Sequence, residues 1–163
     1  MRAAFASFLL FFLAACDAGS GPLAEPMVAP ILTGEEARDE MSHAQPEVAR
    51  VTHVALDLAL DFEAKDVSGT ATLDILAEPG ADTIILDSDG LQIEAVTDQE
   101  GNALPFEIGE HSDEMGEPVS VTMGDARQIT VTYSAAPEAE ALQWLTPEQT
   151  AGGEHPYLFS QGQ

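Results

Sequence analysis

Val54-Ala55-Leu56-Asp57-Leu58-Ala59-Leu60-Asp61-Phe62 changes character at every step. Val54, Leu56, Leu58, Leu60 and Phe62 are large and apolar, and the residues between them are Ala or Asp. A period of two marks a half-buried strand, here with its odd positions facing water. Glu63-Ala64-Lys65-Asp66 reads as a turn. Val67, Gly69, Ala71, Leu73 and Ile75 then alternate with Ser68, Thr70, Thr72 and Asp74, so the two runs predict an antiparallel pair.

The pattern continues outward from this pair. Ala77-Glu78-Pro79-Gly80 breaks the second run. Short strands are expected at 83–86, 91–96, 104–108, 119–123 and 128–133, with Pro105 keeping its strand short or at an edge. Turn residues return about every ten positions, the spacing of an all-β domain. No helix of useful length is expected after residue 15. The fold class is therefore mainly β, an antiparallel sheet or sandwich.

Composition bounds what such a domain can do. The chain has 163 residues, 45% of them hydrophobic, enough for one domain with a core. Its formal net charge is −24, from 29 acids against 5 bases. A surface of that sign repels phosphate backbones, which excludes nucleic acid as a partner. It also repels anionic lipid headgroups. The acids are spread along the chain, as expected of a solvated surface; attraction of cationic ligands such as peptide N-termini is the sharper reading.

The first fifteen residues, MRAAFASFLLFFLAA, combine Arg2 with an apolar run too short to span a bilayer. Leu13-Ala14-Ala15-Cys16 resembles a bacterial lipobox. Residues 1–15 are thus expected to be a lipoprotein signal peptide, with Cys16 acylated and holding the protein to a membrane on the periplasmic side of a bacterial envelope. Residues 16–46, rich in Gly, Pro and acids, read as a tether, with His43 a solvent-facing linker residue. Residues 47–163 are the β domain.

Catalytic chemistry is missing from the pattern. The four histidines, His43, His53, His111 and His155, show no His-Glu-x-x-His spacing. Glu110-His111-Ser112-Asp113-Glu114 reads as a solvated loop. Asp87-Ser88-Asp89-Gly90 fails as a calcium loop, because aligning Gly90 puts Ile85 and Val96 at ligand positions. There is no phosphate loop and no nucleophile elbow. No metal ligand and no catalytic residue is assigned within the chain.

The final stretch is different. Ala141-Leu142-Gln143-Trp144-Leu145-Thr146-Pro147-Glu148-Gln149-Thr150 and Glu154-His155-Pro156-Tyr157-Leu158-Phe159-Ser160-Gln161-Gly162-Gln163 resemble the N-terminal domain of the zinc aminopeptidases of peptidase family M1, in the leukotriene A4 hydrolase-like branch. Leu86 to Ile93 and Ile129 to Tyr133 fit the same family. Gly153 and Gly162 depart from that branch, which has lysine and, in animal members, cysteine there.

The resemblance implies a saddle-like, mostly β domain packed on a zinc-binding catalytic domain. It implies that the strand ending in Gln163 enters the substrate cleft, with Gln163 lining the pocket for the substrate's first residue and Gln161 beside it. An amide offers both donors and an acceptor to an ammonium or peptide group. Zinc, its His-Glu-x-x-His helix and the peptide substrate would belong to a full-length parent. The chain therefore reads as the N-terminal portion of a lipid-anchored aminopeptidase, incomplete at its C-terminal end, inactive alone and marginally stable. The rival reading is a stand-alone envelope lipoprotein, a β-sandwich binding module. Residue preference and epoxide hydrolysis are not addressed by these residues.

Overall fold

Two strands joined by a short turn start the fold, and the turn is fixed by one side chain. The Asp61 Oδ1 accepts from the backbone N–H of Glu63 and of Ala64, both at 2.9 Å. Lys65 then takes a left-handed conformation at φ 56° and sends the chain back. The computed structural model describes residues 29–31, 39–137, 139 and 141–161. The strands are β1 (Ala49–Asp61), β2 (Asp66–Ala77), β3 (Thr83–Ser88), β4 (Leu91–Asp98), β5 (Phe106–Ile108), β6 (Glu117–Thr122), β7 (Gln128–Ala135), β8 (Leu142–Leu145) and β9 (Tyr157–Ser160).

They form three antiparallel sheets, ordered β1-β2-β7-β4, β3-β6-β5 and β8-β9. The mainly β, antiparallel expectation holds, and each expected strand is found near its expected bounds. Pro105 acts as anticipated: β5 has three residues and lies at a sheet edge. No helix among the described residues is long and apolar enough to cross a membrane.

The core lies where the three-stranded sheet covers one end of the four-stranded sheet. Leu73 and Ile75 of β2, Val96 of β4 and Ile129 and Val131 of β7 meet Ile84 of β3 and Val119 and Val121 of β6. Val121 and Ile129 are completely buried. A second, smaller cluster forms at the far end, where Val67, Ala135 and Ala139 take Leu91, Leu142, Trp144 and Leu158. Gly69 sits opposite Leu58, and a Cβ on it would lie 2.1 Å from the Asp57 carbonyl oxygen. Only glycine lets β1 and β2 approach that closely.

Two sequence expectations need correction. β1 was expected to be half-buried, yet Val54, Leu56, Leu58, Leu60 and Phe62 are all exposed. Their face is the core face, since Val54 pairs with Leu73 and Leu60 with Val67. The covering sheet simply does not reach them. His43 is half-buried rather than solvent-facing. Its backbone N–H donates to the Asp87 Oδ1 at 2.9 Å, beside the Ser42 hydroxyl, which donates to the Oδ2 at 2.5 Å. This contact joins residues 44 positions apart, a distance at which local pattern is silent.

Candidate functional site

The stretch from Ala141 to Gln161 folds into a hairpin with a structured connection. β8 and β9 pair antiparallel, with Trp144 opposite Leu158 and Gln143 opposite Phe159. One further bond, from the Gln161 N–H to the Ala141 carbonyl at 3.0 Å, carries the pairing past the end of β9. Between the strands Pro147–Gln149 makes one 3-10 turn. The Gln149 side chain accepts from the Thr146 N–H at 2.9 Å, closing the turn's entrance. The Thr150 hydroxyl lies 2.8 Å from both the Pro147 and His155 carbonyls and ties its exit. Gly152 and Gly153 are left-handed, with φ 90° and 67°. That conformation suits glycine at 153 better than the lysine expected in this branch.

Charge in this connection follows its hydrogen bonds. The Thr146 hydroxyl beside Glu148 holds that carboxyl below the usual glutamate range.

Alternation gives the hairpin two faces. Leu142, Trp144 and Leu158 pack onto the smaller core cluster. The Trp144 ring meets Phe62 edge-on, with centroids 5.4 Å apart and planes at 90°. Tyr157 and Phe159 point the other way and are exposed. Gln161 follows two positions on and is exposed as well, so it continues an aromatic ledge with an amide. Such a ledge can hold an apolar side chain while the amide meets a peptide N–H, a carbonyl or an ammonium. Gln163 and Cys16 lie outside the described residues.

Among the described residues, one group of His and acids comes together: Asp89, His111 and Glu117, with ligand atoms within 4.8 Å of one another. The His111 Nδ1 is 3.0 Å from the Glu117 carboxylate, and its Nε2 is 3.7 Å from Asp113. The cluster is carried by loops and by β6, and two of its three members are exposed. It has neither the helix nor the second histidine of an aminopeptidase zinc site.

Comparison with known proteins places the domain. No family model matches the chain. It is 36% identical over 130 residues to leucine aminopeptidase 2 of Yarrowia lipolytica, covering 77% of this chain and 20% of that protein. It is 33% identical over 132 residues to leukotriene A-4 hydrolase of Xenopus laevis, covering 77% and 22%. The structure of native yeast LTA4 hydrolase superposes with a TM-score of 0.70 and 25% identity, over 79% of this chain and 21% of that one. The homologues are leukotriene A4 hydrolases and leucine aminopeptidases of peptidase family M1, matched over their N-terminal part.

The chain spans about a fifth of the length of the relatives it matches. Full-length M1 aminopeptidases are zinc enzymes acting on peptides. The relatives also overturn one expectation. Proteins of Yarrowia, Sclerotinia and Xenopus are eukaryotic, and they are aminopeptidases and hydrolases rather than bacterial envelope lipoproteins. The periplasm-facing, lipid-anchored location and the membrane contact through Cys16 are withdrawn. That inference rested on Leu13-Ala14-Ala15-Cys16, four residues that mean acylation only where bacterial processing enzymes act on them.

Proposed function

We propose that this chain is the N-terminal β domain of a zinc aminopeptidase, and that its β8–β9 hairpin supplies one wall of the substrate cleft. The observation that carries the reading is the outward face of β9, where Tyr157, Phe159 and Gln161 form an exposed apolar ledge ending in an amide. An unhindered ledge of that kind suits the first residues of a peptide. Gln161 and Gln163 would bind the substrate's terminal ammonium or first peptide group. Zinc and the water-activating base would come from a catalytic domain, because no described residues fit them. The 163 residues alone would then bind no catalytic zinc and cleave no peptide.

A chimera tests the hairpin's role. Residues 141–163 replace the matching stretch of yeast LTA4 hydrolase, whose structure is known with bestatin bound. The chimera is expected to cleave leucyl-p-nitroanilide. Q161A and Q163A in it should each raise KM roughly tenfold, the loss of about 1.4 kcal/mol of hydrogen bonding to a charged group. Bestatin should weaken in parallel. Unchanged KM and bestatin affinity in both variants would remove the glutamines from the site. Hydrolysis by the isolated 163-residue chain would overturn the division of labour.

A further inference from the structure

Two stretches that carry no complete motif of their own meet in the fold. Asp87-Ser88-Asp89-Gly90 fails as a calcium loop, and Glu110-His111-Ser112-Asp113-Glu114 reads as a solvated loop. Folding brings Asp89 of the first beside His111 of the second. Glu117, at the start of β6, joins them, and ligand atoms of all three lie within 4.8 Å of one another.

The backbone fixes this meeting. Ser112 and Gly116 exchange N–H to carbonyl bonds in both directions, each 2.9 Å, so His111 and Glu117 stand side by side just outside that bridge. Glu117 pairs in turn with Ser88, the residue before Asp89. Gly116 lets the loop touch the end of β3: a Cβ on it would lie 2.2 Å from the Ser88 carbonyl oxygen and 3.0 Å from the Asp89 Cβ. All three ligands are therefore held at one end of the β3–β6 pair.

The imidazole makes this group more than acidic surface. Its Nδ1 lies 3.0 Å from the Glu117 carboxylate, and its Nε2 lies 3.7 Å from that of Asp113. A neutral ring has one N–H and one lone pair. Whichever nitrogen carries the lone pair faces a carboxylate that has no proton to give. A cation shared by the lone pair and the carboxylate removes the conflict. The spacing suits one: two ligands about 2.1 Å from an ion, at right angles to each other, lie about 3.0 Å apart. Two carboxylates balance the charge of a divalent ion. The imidazole nitrogen favours first-row transition ions over Mg²⁺ and Ca²⁺, which take oxygen shells.

We propose that Asp89, His111 and Glu117 bind one divalent transition-metal ion, with its remaining positions left to water. The site does not depend on the aminopeptidase reading.

The probe is Ni²⁺, titrated into the untagged 163-residue chain by calorimetry at about 0.1 M salt, with NMR spectra followed alongside. One saturable site per chain is expected, and the paramagnetic ion should broaden the signals of residues 88–90 and 110–117 first. H111A and D89N should each weaken binding at least about tenfold, since a ligand matters no less than the groups that orient it. H155A should bind like the parent, and excess Mg²⁺ should leave Ni²⁺ in place. His111 and Asp89 are exposed, so both variants should keep the parent's circular dichroism. The proposal is overturned if no saturable site is found, or if either H111A or D89N binds Ni²⁺ as tightly as the parent. It is equally overturned if H155A loses as much as H111A, or if Mg²⁺ displaces Ni²⁺, the mark of diffuse acidic surface. A His111 ring that responds to pH but not to Ni²⁺ would overturn it too, since its cation is then a proton.

Discussion

Asp98 shows how much one carboxylate can organise. Its Oδ1 accepts from the N–H of Glu100 at 2.8 Å and of Asn102 at 2.9 Å, and its Oδ2 accepts from the Asn102 side-chain amide at 2.9 Å. These bonds favour the charged form, the Asn102 side chain most of all, and hold the group below the ordinary aspartate value of 3.8. A depressed folded value means that the turn is stabilised above the ordinary value, and that this support is lost as pH falls through the depressed one. In an NMR acid titration the Asp98 carboxyl should titrate below 3.8, and N102A should move it upward. An unmoved titration would mean that the amide does not hold it. The turn itself was legible, because Asp98-Gln99-Glu100-Gly101-Asn102 carries its own chemistry. The docking of Ser42 and His43 on Asp87 was not, because no local pattern reports a partner more than forty positions away.

At the scale of elements, periodicity located the strands and assigned their faces, but it could not say which faces are covered. Val54 and Leu73 alternate equally well, pair with each other, and differ wholly in burial. Coverage depends on how far the β3-β6-β5 sheet extends, a property of packing between distant segments. The β8–β9 hairpin was legible in another way, through the resemblance of its residues, and its fold rests on few contacts. Trp144 joins it to Phe62 and to the smaller cluster. W144A should therefore cost about 3 kcal/mol locally. Hydrogen exchange should show residues 157–160 losing protection while Ile129, in the larger core, keeps its own. Equal loss at both places would show one cooperative unit instead of two.

For the whole molecule, net charge is the dominant global term. At −24 the folded chain repels itself, and the repulsion is strongest where salt is scarce. Raising ionic strength from about 0.01 to 0.5 M shortens the screening length from about 30 Å to a few Å. The melting temperature should rise by about 5 °C over that range. A flat response would mean that the acids are spaced too widely to matter. Composition made this legible from the start. Cellular location was misread for the opposite reason: a short leader motif takes its meaning from the cell that processes it.

The four-stranded sheet also sets a timetable. Its central pair, β2 and β7, joins Thr72 to Thr130 across 58 positions, while β1 and β2 meet across a four-residue turn. The first hairpin can close in microseconds as soon as it emerges from the ribosome. Closing the β2–β7 pair must overcome the entropy of a long loop. Until residues 128–135 have been synthesised, β2 waits with one edge unpaired and its valine, leucine and isoleucine side chains in water. The nascent domain spends that interval as an unfinished sheet, the form of a β protein most in need of a chaperone.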